Sequence, residues 1–98
     1  MIKTRPVRGI VPVVSTPLTK DENIDVDALR RLIEFLNTKN IGGLWVLGTG
    51  SEDMNLSFAK RIKVAQAACE ANAGKTPLLL GAGFFAMEDI ANFIQETK

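Results

Sequence analysis

A short polar turn between two apolar segments carries the residues best suited to chemistry. Residues 43–47 read as a short buried strand. The turn after it and the two carboxylates that follow are Gly48, Thr49, Gly50, Ser51, Glu52 and Asp53. Glycine lets the backbone approach a ligand closely, and successive N–H groups in such a turn can form a concave anion site. The turn therefore predicts a site for a carboxylate or a phosphate, although an ordinary strand-to-helix turn would show the same pattern.

A second glycine turn follows another apolar segment. Gly81, Gly83 and Ala86 have the spacing G-x-G-x-x-A, which is typical of dinucleotide-binding turns. The match is a lone one, and Phe84 and Phe85 stand where a pyrophosphate would lie. A nucleotide site is thus the alternative to a carboxylate site.

Composition removes several other chemistries. The 98 residues include no histidine and no tyrosine, so the commonest general base is missing. Carboxylates are not clustered at ligand spacing, and we expect no metal and no cofactor. A net charge of +1 gives no electrostatic case for nucleic acid, and no apolar run is long enough to cross a membrane. The single cysteine excludes an internal disulfide and favours a cytoplasmic protein.

Three further features are assigned to structure. Cys69 falls on the apolar face of a helix, where core packing is the expected role. Trp45 lies in a buried strand and is expected to fill the core. Lys60, Arg61 and Lys63 are expected to form a solvated helix face.

Three strand–turn–helix units must position these residues. Strands are predicted over residues 10–15, 43–47 and 77–80, because continuous apolar runs are typical of parallel strands buried on both faces. Asp25 and Ser57 are favourable N-caps for the first two helices, and a third helix begins at about Met87. Pro12 cannot donate in a central ladder, so it belongs at the start of its strand or at a bulge.

The spacing of these units sets the fold class. The strands begin about 33 residues apart, which suits one βα unit each. We therefore predict an α/β protein built as a parallel βαβαβα segment, with its three polar turns on the rim at the carboxyl ends of the strands. The third helix is expected to bury four side chains, Ile90, Ala91, Phe93 and Ile94.

Several segments of the sequence resemble those of one enzyme family. The segment from Gly9-Ile10-Val11-Pro12 to Thr16-Pro17-Leu18 looks like its first strand, and Gly48-Thr49-Gly50-Ser51-Glu52 is similar to its GTTGE-type signature. The family is the dihydrodipicolinate synthase/N-acetylneuraminate lyase group, which are pyruvate-dependent aldolases on a TIM barrel. The chain then resembles the first three βα units of a (β/α)8 barrel, with residues 1–98 as one partial domain.

The resemblance implies a mechanism and partners. In the family a lysine forms a Schiff base with pyruvate, and the turn after the second strand holds the pyruvate carboxylate. Carried over, Gly48, Thr49, Gly50 and Ser51 bind the substrate, and Thr49 is the hydroxyl residue tied to the proton relay. Gly50 stands where the family usually has threonine, and Ser51 where it usually has glycine. The family is typically homotetrameric, which implies self-association.

The lysines decide what this chain can do alone. None of them follows a predicted strand, so the Schiff-base lysine is not among them and the chain is expected to be inactive by itself. Open sheet edges also predict self-association. Two alternatives stand beside this interpretation: a stand-alone α/β module that binds a small anion or nucleotide, and a non-catalytic paralogue that associates with a full-length relative.

Overall fold

Three helices alternate with short parallel strands. A computed structural model describes residues 6–51, 55–83 and 86–97. The helices are α1 (Val26–Leu36), α2 (Phe58–Asn72) and α3 (Met87–Thr97). The strands are β1 (Leu44–Val46) and β2 (Leu78–Leu80), and one turn of 3-10 helix, Thr49–Ser51, follows β1. The predicted order of the helices and of the second and third strands is confirmed.

The helix boundaries follow from local chemistry. The Asp25 carboxylate accepts the Ala28 N–H at 3.0 Å at the start of α1. The Ser57 hydroxyl accepts the Lys60 N–H at 3.2 Å at the start of α2. These side chains satisfy N–H groups that the first helical turn leaves without backbone partners. At the other end of α2, Ala73 has a left-handed conformation with φ 49°, and its N–H donates to the Cys69 carbonyl.

The sheet is parallel, with β1 in its middle. Trp45 pairs with Leu79 in β2, and the Leu44 N–H donates to the Pro77 carbonyl at 2.9 Å. On the other side of β1 runs an extended segment, residues 10–14, which we call the edge segment. Its Val13 forms a parallel bridge with Trp45. The spatial order is therefore edge segment, β1, β2, as successive βα units require.

The edge segment is a correction to the predicted strand over residues 10–15, since it forms only one isolated bridge. The Trp45 N–H reaches the Pro12 carbonyl at 3.0 Å, but Pro12 has no N–H to give in return. The next hydrogen bond joins the Gly42 N–H to the Ile10 carbonyl at 2.7 Å. Between these two bonds the chain advances three residues before β1 but only two in the edge segment. Pro12 thus adjoins a bulge that interrupts the ladder, as its sequence position suggested.

The two faces of the sheet differ in cover. Leu44 and Val46 point towards the helices and are buried. They join a core whose other large members are Val14, Leu29, Ile33, Val64 and Phe93. The opposite face carries three side chains in register, Val13, Trp45 and Leu79, which we call the inner row. Trp45 is 44% exposed there, so its predicted role in the core is wrong for the described residues.

Three more burial predictions need correction. Cys69 is exposed on α2, whereas Arg61 is buried with 4% exposure. Of the apolar positions predicted for α3, only Phe93 is buried, where its ring meets that of Phe58 edge-on at 6.0 Å, and Ile94 is 52% exposed. Helical periodicity fixes which residues share a face, but neighbouring elements decide how wide a stripe of that face is covered.

A polar network closes the amino-terminal edge of the sheet. Asn72, at the end of α2, donates to the Thr76 carbonyl at 2.7 Å and accepts from the Asn37 side-chain amide at 3.1 Å. The Thr76 hydroxyl completes the ring by donating to the Asn37 oxygen at 2.6 Å. Asn72 and Thr76 are buried, so these bonds satisfy groups that water does not reach.

Candidate functional site

The predicted turn lies at the carboxyl end of β1. The strand ends at Val46, and Leu47 turns the backbone with φ 62° while its side chain stays buried. The 3-10 turn then closes through the Ser51 N–H, which donates to the Gly48 carbonyl at 2.8 Å. A left-handed, non-glycine residue is uncommon in a buried position, and such strain clusters at functional sites.

The turn after β2 lies directly beside it. The Gly81 N–H donates to the Val46 carbonyl at 2.8 Å, and a β-carbon on Gly81 would overlap the Leu47 carbonyl. Glycine is therefore required by close backbone contact between the two turns. Because the Gly81 N–H is used in the sheet, it is not available to a phosphate, which speaks against the dinucleotide alternative. Phe84 and Phe85 of that motif lie outside the described residues.

The four predicted ligand residues differ in what they can donate. Gly50 is exposed, and within the described part of the chain its N–H donates to no other group. The Ser51 N–H closes the turn, and the Ser51 hydroxyl donates to the Val14 carbonyl. The Thr49 side chain, Glu52 and Asp53 lie outside the described structure. The exposed Gly50 N–H is therefore a backbone donor that this turn leaves available.

The turn is packed against the inner row. A β-carbon on Gly48 would lie 3.0 Å from the Trp45 indole, and one on Gly50 would lie 3.3 Å from Val13. Glycine at position 48 lets the backbone lie flat on the indole. The turn is thus packed against Val13 and Trp45, two members of the inner row.

A cleft of about 450 Å³ opens beside the turn. Its lining residues are Thr16, Leu18, Glu22, Ser51, Asn55, Leu56 and Lys60. The Lys60 ammonium donates to the Glu22 carbonyl at 2.7 Å and so ties α2 to the loop after the edge segment. The turn after the edge segment, with Thr16, and the turn after β1, with Ser51, thus both line this cleft, as the predicted rim of polar turns requires.

Arg61 is the residue of this region that sequence reasoning misplaced. Its Nε donates to the Leu56 carbonyl at 3.2 Å, and its Nη1 donates to the Gly83 carbonyl. The helical spacing contained a signal, because Arg61 leads the buried series of Val64, Ala65 and Ala68 on α2. Grouping it with Lys60 and Lys63 as a basic face obscured that series.

Cys69 lies away from the turn. It lines an apolar groove of about 320 Å³ between α2, β2 and α3, with Leu78, Leu80 and Phe93 among its neighbours. Partial burial, and to a lesser degree the Glu70 carboxylate, raise the pKa of the Cys69 thiol. The thiol is therefore protonated at neutral pH and is a poor nucleophile.

Along residues 6–51, 55–83 and 86–97, no Cys, Asp and Glu side chains are grouped as a metal site would need. The helices in this part of the chain are too short or too polar to cross a bilayer.

Fold and turn together define a class: successive βα units with a glycine-containing turn at the carboxyl edge of a parallel sheet. The dihydrodipicolinate synthetase family matches residues 6–97, and the chain belongs to that family. A probable 2-dehydro-3-deoxy-D-pentonate aldolase of Escherichia coli, YjhH, is 32% identical over 92% of this chain and 30% of its own length. An N-acetylneuraminate lyase of Citrobacter koseri is 32% identical over 85% of this chain and 28% of its own length.

Solved structures give the fold. A dihydrodipicolinate synthase from Bacteroides thetaiotaomicron superposes with a TM-score of 0.89 at 32% identity, covering 97% of this chain and 32% of that one. YagE, a family member from E. coli in complex with pyruvate, superposes with a TM-score of 0.87 at 30% identity, covering 91% of this chain and 30% of that one. The chain is thus the first three βα units of a TIM barrel and spans about a third of the length of these relatives.

Proposed function

We propose that this chain supplies the carboxylate-binding part of a Schiff-base lyase or aldolase that acts on pyruvate or a related 2-oxo acid. The observation that carries the proposal is the turn at residues 48–51, which presents the exposed Gly50 at the carboxyl edge of the sheet. Membership of the family and the similarity to a pyruvate-bound member support it. A backbone N–H is a suitable donor to a carboxylate, and it is sequence-independent.

Each turn residue has a separate proposed role. The Gly50 N–H donates to the substrate carboxylate, and Thr49 is proposed to act in the proton relay through its hydroxyl. Gly48 sets the turn against the Trp45 indole, and Ser51 holds it to the edge segment while contributing to the binding surface. Glycine at position 50 removes the side-chain hydroxyl that the family usually has, which leaves more room above the carboxylate.

The amine nucleophile is proposed to lie outside residues 1–98. The described lysines are on loops or on α2, and none stands at the carboxyl end of a strand: Lys20, Lys39, Lys60, Lys63 and Lys75. Lys60 approaches the rim most closely, but its ammonium donates to the Glu22 carbonyl at the exposed mouth of the cleft. An exposed, hydrogen-bonded ammonium lacks the apolar setting that activates a Schiff-base lysine. The chain alone is therefore proposed to bind without catalysing.

Location and assembly complete the proposal. A single thiol suits the reducing cytoplasm. The exposed inner row and the open edges of the short sheet favour association with copies of the same chain or with the rest of a barrel.

Borohydride reduction in the presence of pyruvate tests the proposed reaction. A Schiff base between a lysine and pyruvate is reduced to a stable secondary amine, which mass spectrometry locates. In native protein isolated from its source cells we expect an adduct on a lysine outside residues 1–98, and in the 98-residue chain we expect none. An adduct on Lys60 would overturn the assignment of the nucleophile, and a native protein without any adduct would overturn the lyase proposal.

A further inference from the structure

A buried guanidinium joins the segment just before α2 to the turn after β2. Arg61 is only 4% exposed, although arginine is almost never fully buried without partners. Its Nε donates to the Leu56 carbonyl at 3.2 Å, five residues beyond Ser51. Its Nη1 donates to the Gly83 carbonyl, in the turn after β2. One side chain from the first turn of α2 thus holds two loops that are far apart in the sequence.

The chemistry of the group makes this link a rigid one. A guanidinium is planar, always charged, and presents its N–H groups in fixed directions. Hydrogen bonds from an ionised donor are about twice as strong as neutral ones, and burial keeps water from replacing them. Leu56 and Gly83 therefore cannot shift independently while Arg61 holds both carbonyls.

The 48–51 turn is also anchored at its last residue. The Ser51 hydroxyl donates to the Val14 carbonyl, which ties the turn to the edge segment. The Gly81 N–H, in turn, binds the Val46 carbonyl at 2.8 Å. The Val46 carbonyl before the turn and the Leu56 carbonyl after it are thus both tied to the turn after β2, the first by the Gly81 N–H and the second through Arg61.

We infer that Arg61 is a positioning residue for the 48–51 turn. It acts through the Leu56 and Gly83 carbonyls and sets the direction in which the Gly50 N–H meets an anion. The ligand in this inference is the 2-oxo acid of the proposed function; the mechanical link between the turns is independent of it.

Amide NMR of the 98-residue chain separates positioning from bulk stability. Arg61→Lys keeps the charge but replaces the fixed, planar set of donors by a single ammonium, and Arg61→Met removes the donors. We expect both variants to move the amide signals of Gly48, Gly50, Gly81 and Gly83 and to weaken pyruvate binding about tenfold. The control, Asn72→Ala, lies at the opposite edge; it should lower Tm while leaving those signals and the pyruvate Kd unchanged.

The outcomes distinguish the two proposals. If the unaltered chain shows no response to pyruvate, the proposed function fails, while the glycine signals of the Arg61 variants still decide the inference. Glycine signals that stay in place in folded Arg61 variants would overturn it. Should both variants unfold, the unaltered chain decides: a clamped guanidinium has Nε–H and Nη–H protons that exchange slowly with water, and rapid exchange at both would contradict the link.

Discussion

At Ser51 a hydroxyl group replaces a backbone donor. The Val14 N–H donates to the Trp45 carbonyl at 2.9 Å. The Val14 carbonyl accepts from the Ser51 side chain, because β1 turns away at Leu47. Ser51 is 2% exposed, so water cannot substitute. The residue that occupies the glycine position of the signature thus has a structural use of its own.

Ser51→Ala should therefore destabilise the chain by about 1–3 kcal/mol, the cost of a buried carbonyl without a donor. Urea unfolding followed by Trp45 fluorescence measures it. Ser15→Ala, at an exposed position of the neighbouring loop, is the matched control and should stay within about 0.5 kcal/mol. Equal effects from the two substitutions would show that the Val14 carbonyl does not depend on Ser51.

The thiol of Cys69 gives a prediction in pH. Its pKa is raised by partial burial and, second, by Glu70, so alkylation by iodoacetamide should reach half its maximal rate at a higher pH than in a short peptide. Glu70→Gln should lower that midpoint only partway, because burial remains, and Glu88→Gln should leave it unchanged. Since the folded chain holds the proton more tightly than the unfolded chain, this thiol's contribution to stability fades as pH rises through the raised pKa. A midpoint equal to that of the peptide would contradict the prediction.

At the scale of elements, helices were predictable and the first strand was not. Asp25 and Ser57 indicate where α1 and α2 begin, because an N-cap bonds to a backbone N–H only three residues further along the chain. The structure confirms both caps. The edge segment has the apolar run of a strand, but its pairing depends on a missing N–H at Pro12 and on a bulge opposite it. Arg61 was misplaced for a related reason, because one of its acceptors, the Gly83 carbonyl, lies 22 residues further along the chain, where no local pattern reveals it.

The Asn72 hydrogen bonds join the ends of α1 and α2 to the start of β2 at the amino-terminal edge of the sheet. Asn72→Ala leaves the Thr76 N–H and carbonyl and the Asn37 amide without the partner they share. We expect a loss of about 2–3 kcal/mol in the free energy of unfolding, since several buried groups lose a bond at once. Asn92→Ala on the exposed side of α3 should change stability by less than about 0.5 kcal/mol. If Asn72→Ala is equally mild, water must fill the network.

For the whole molecule, the inner row explains why burial was overpredicted. Sequence shows that Trp45 is apolar and lies in a strand, but not whether another element covers that face. In a TIM barrel the inward side chains of all eight strands fill the interior together. Here Val13 and Leu79 stand beside Trp45 in register, each about two-fifths exposed. Cys69, on the other side of the sheet, lines an open groove between α2, β2 and α3.

The inner row should therefore drive association of the chain. Three adjacent, half-exposed apolar side chains form a continuous patch, and such patches mark interaction surfaces. Leu79→Lys places a charge at the β2 end of the inner row at little cost to the fold, because the position is already 38% exposed. We expect sedimentation velocity to show a shift from oligomer towards monomer, while urea unfolding stays within about 1 kcal/mol.

Two controls make the outcome specific to this face. Phe35 on α1 is more exposed than Leu79, at 57%, but it points away from the inner row, so Phe35→Lys should leave association unchanged. Leu44 neighbours Trp45 in β1 but faces the helices and is fully buried, so Leu44→Lys should unfold the chain rather than merely dissociate it. If Phe35→Lys dissociates the oligomer and Leu79→Lys does not, the copies meet through the helical surface, and the inner row is covered in some other way.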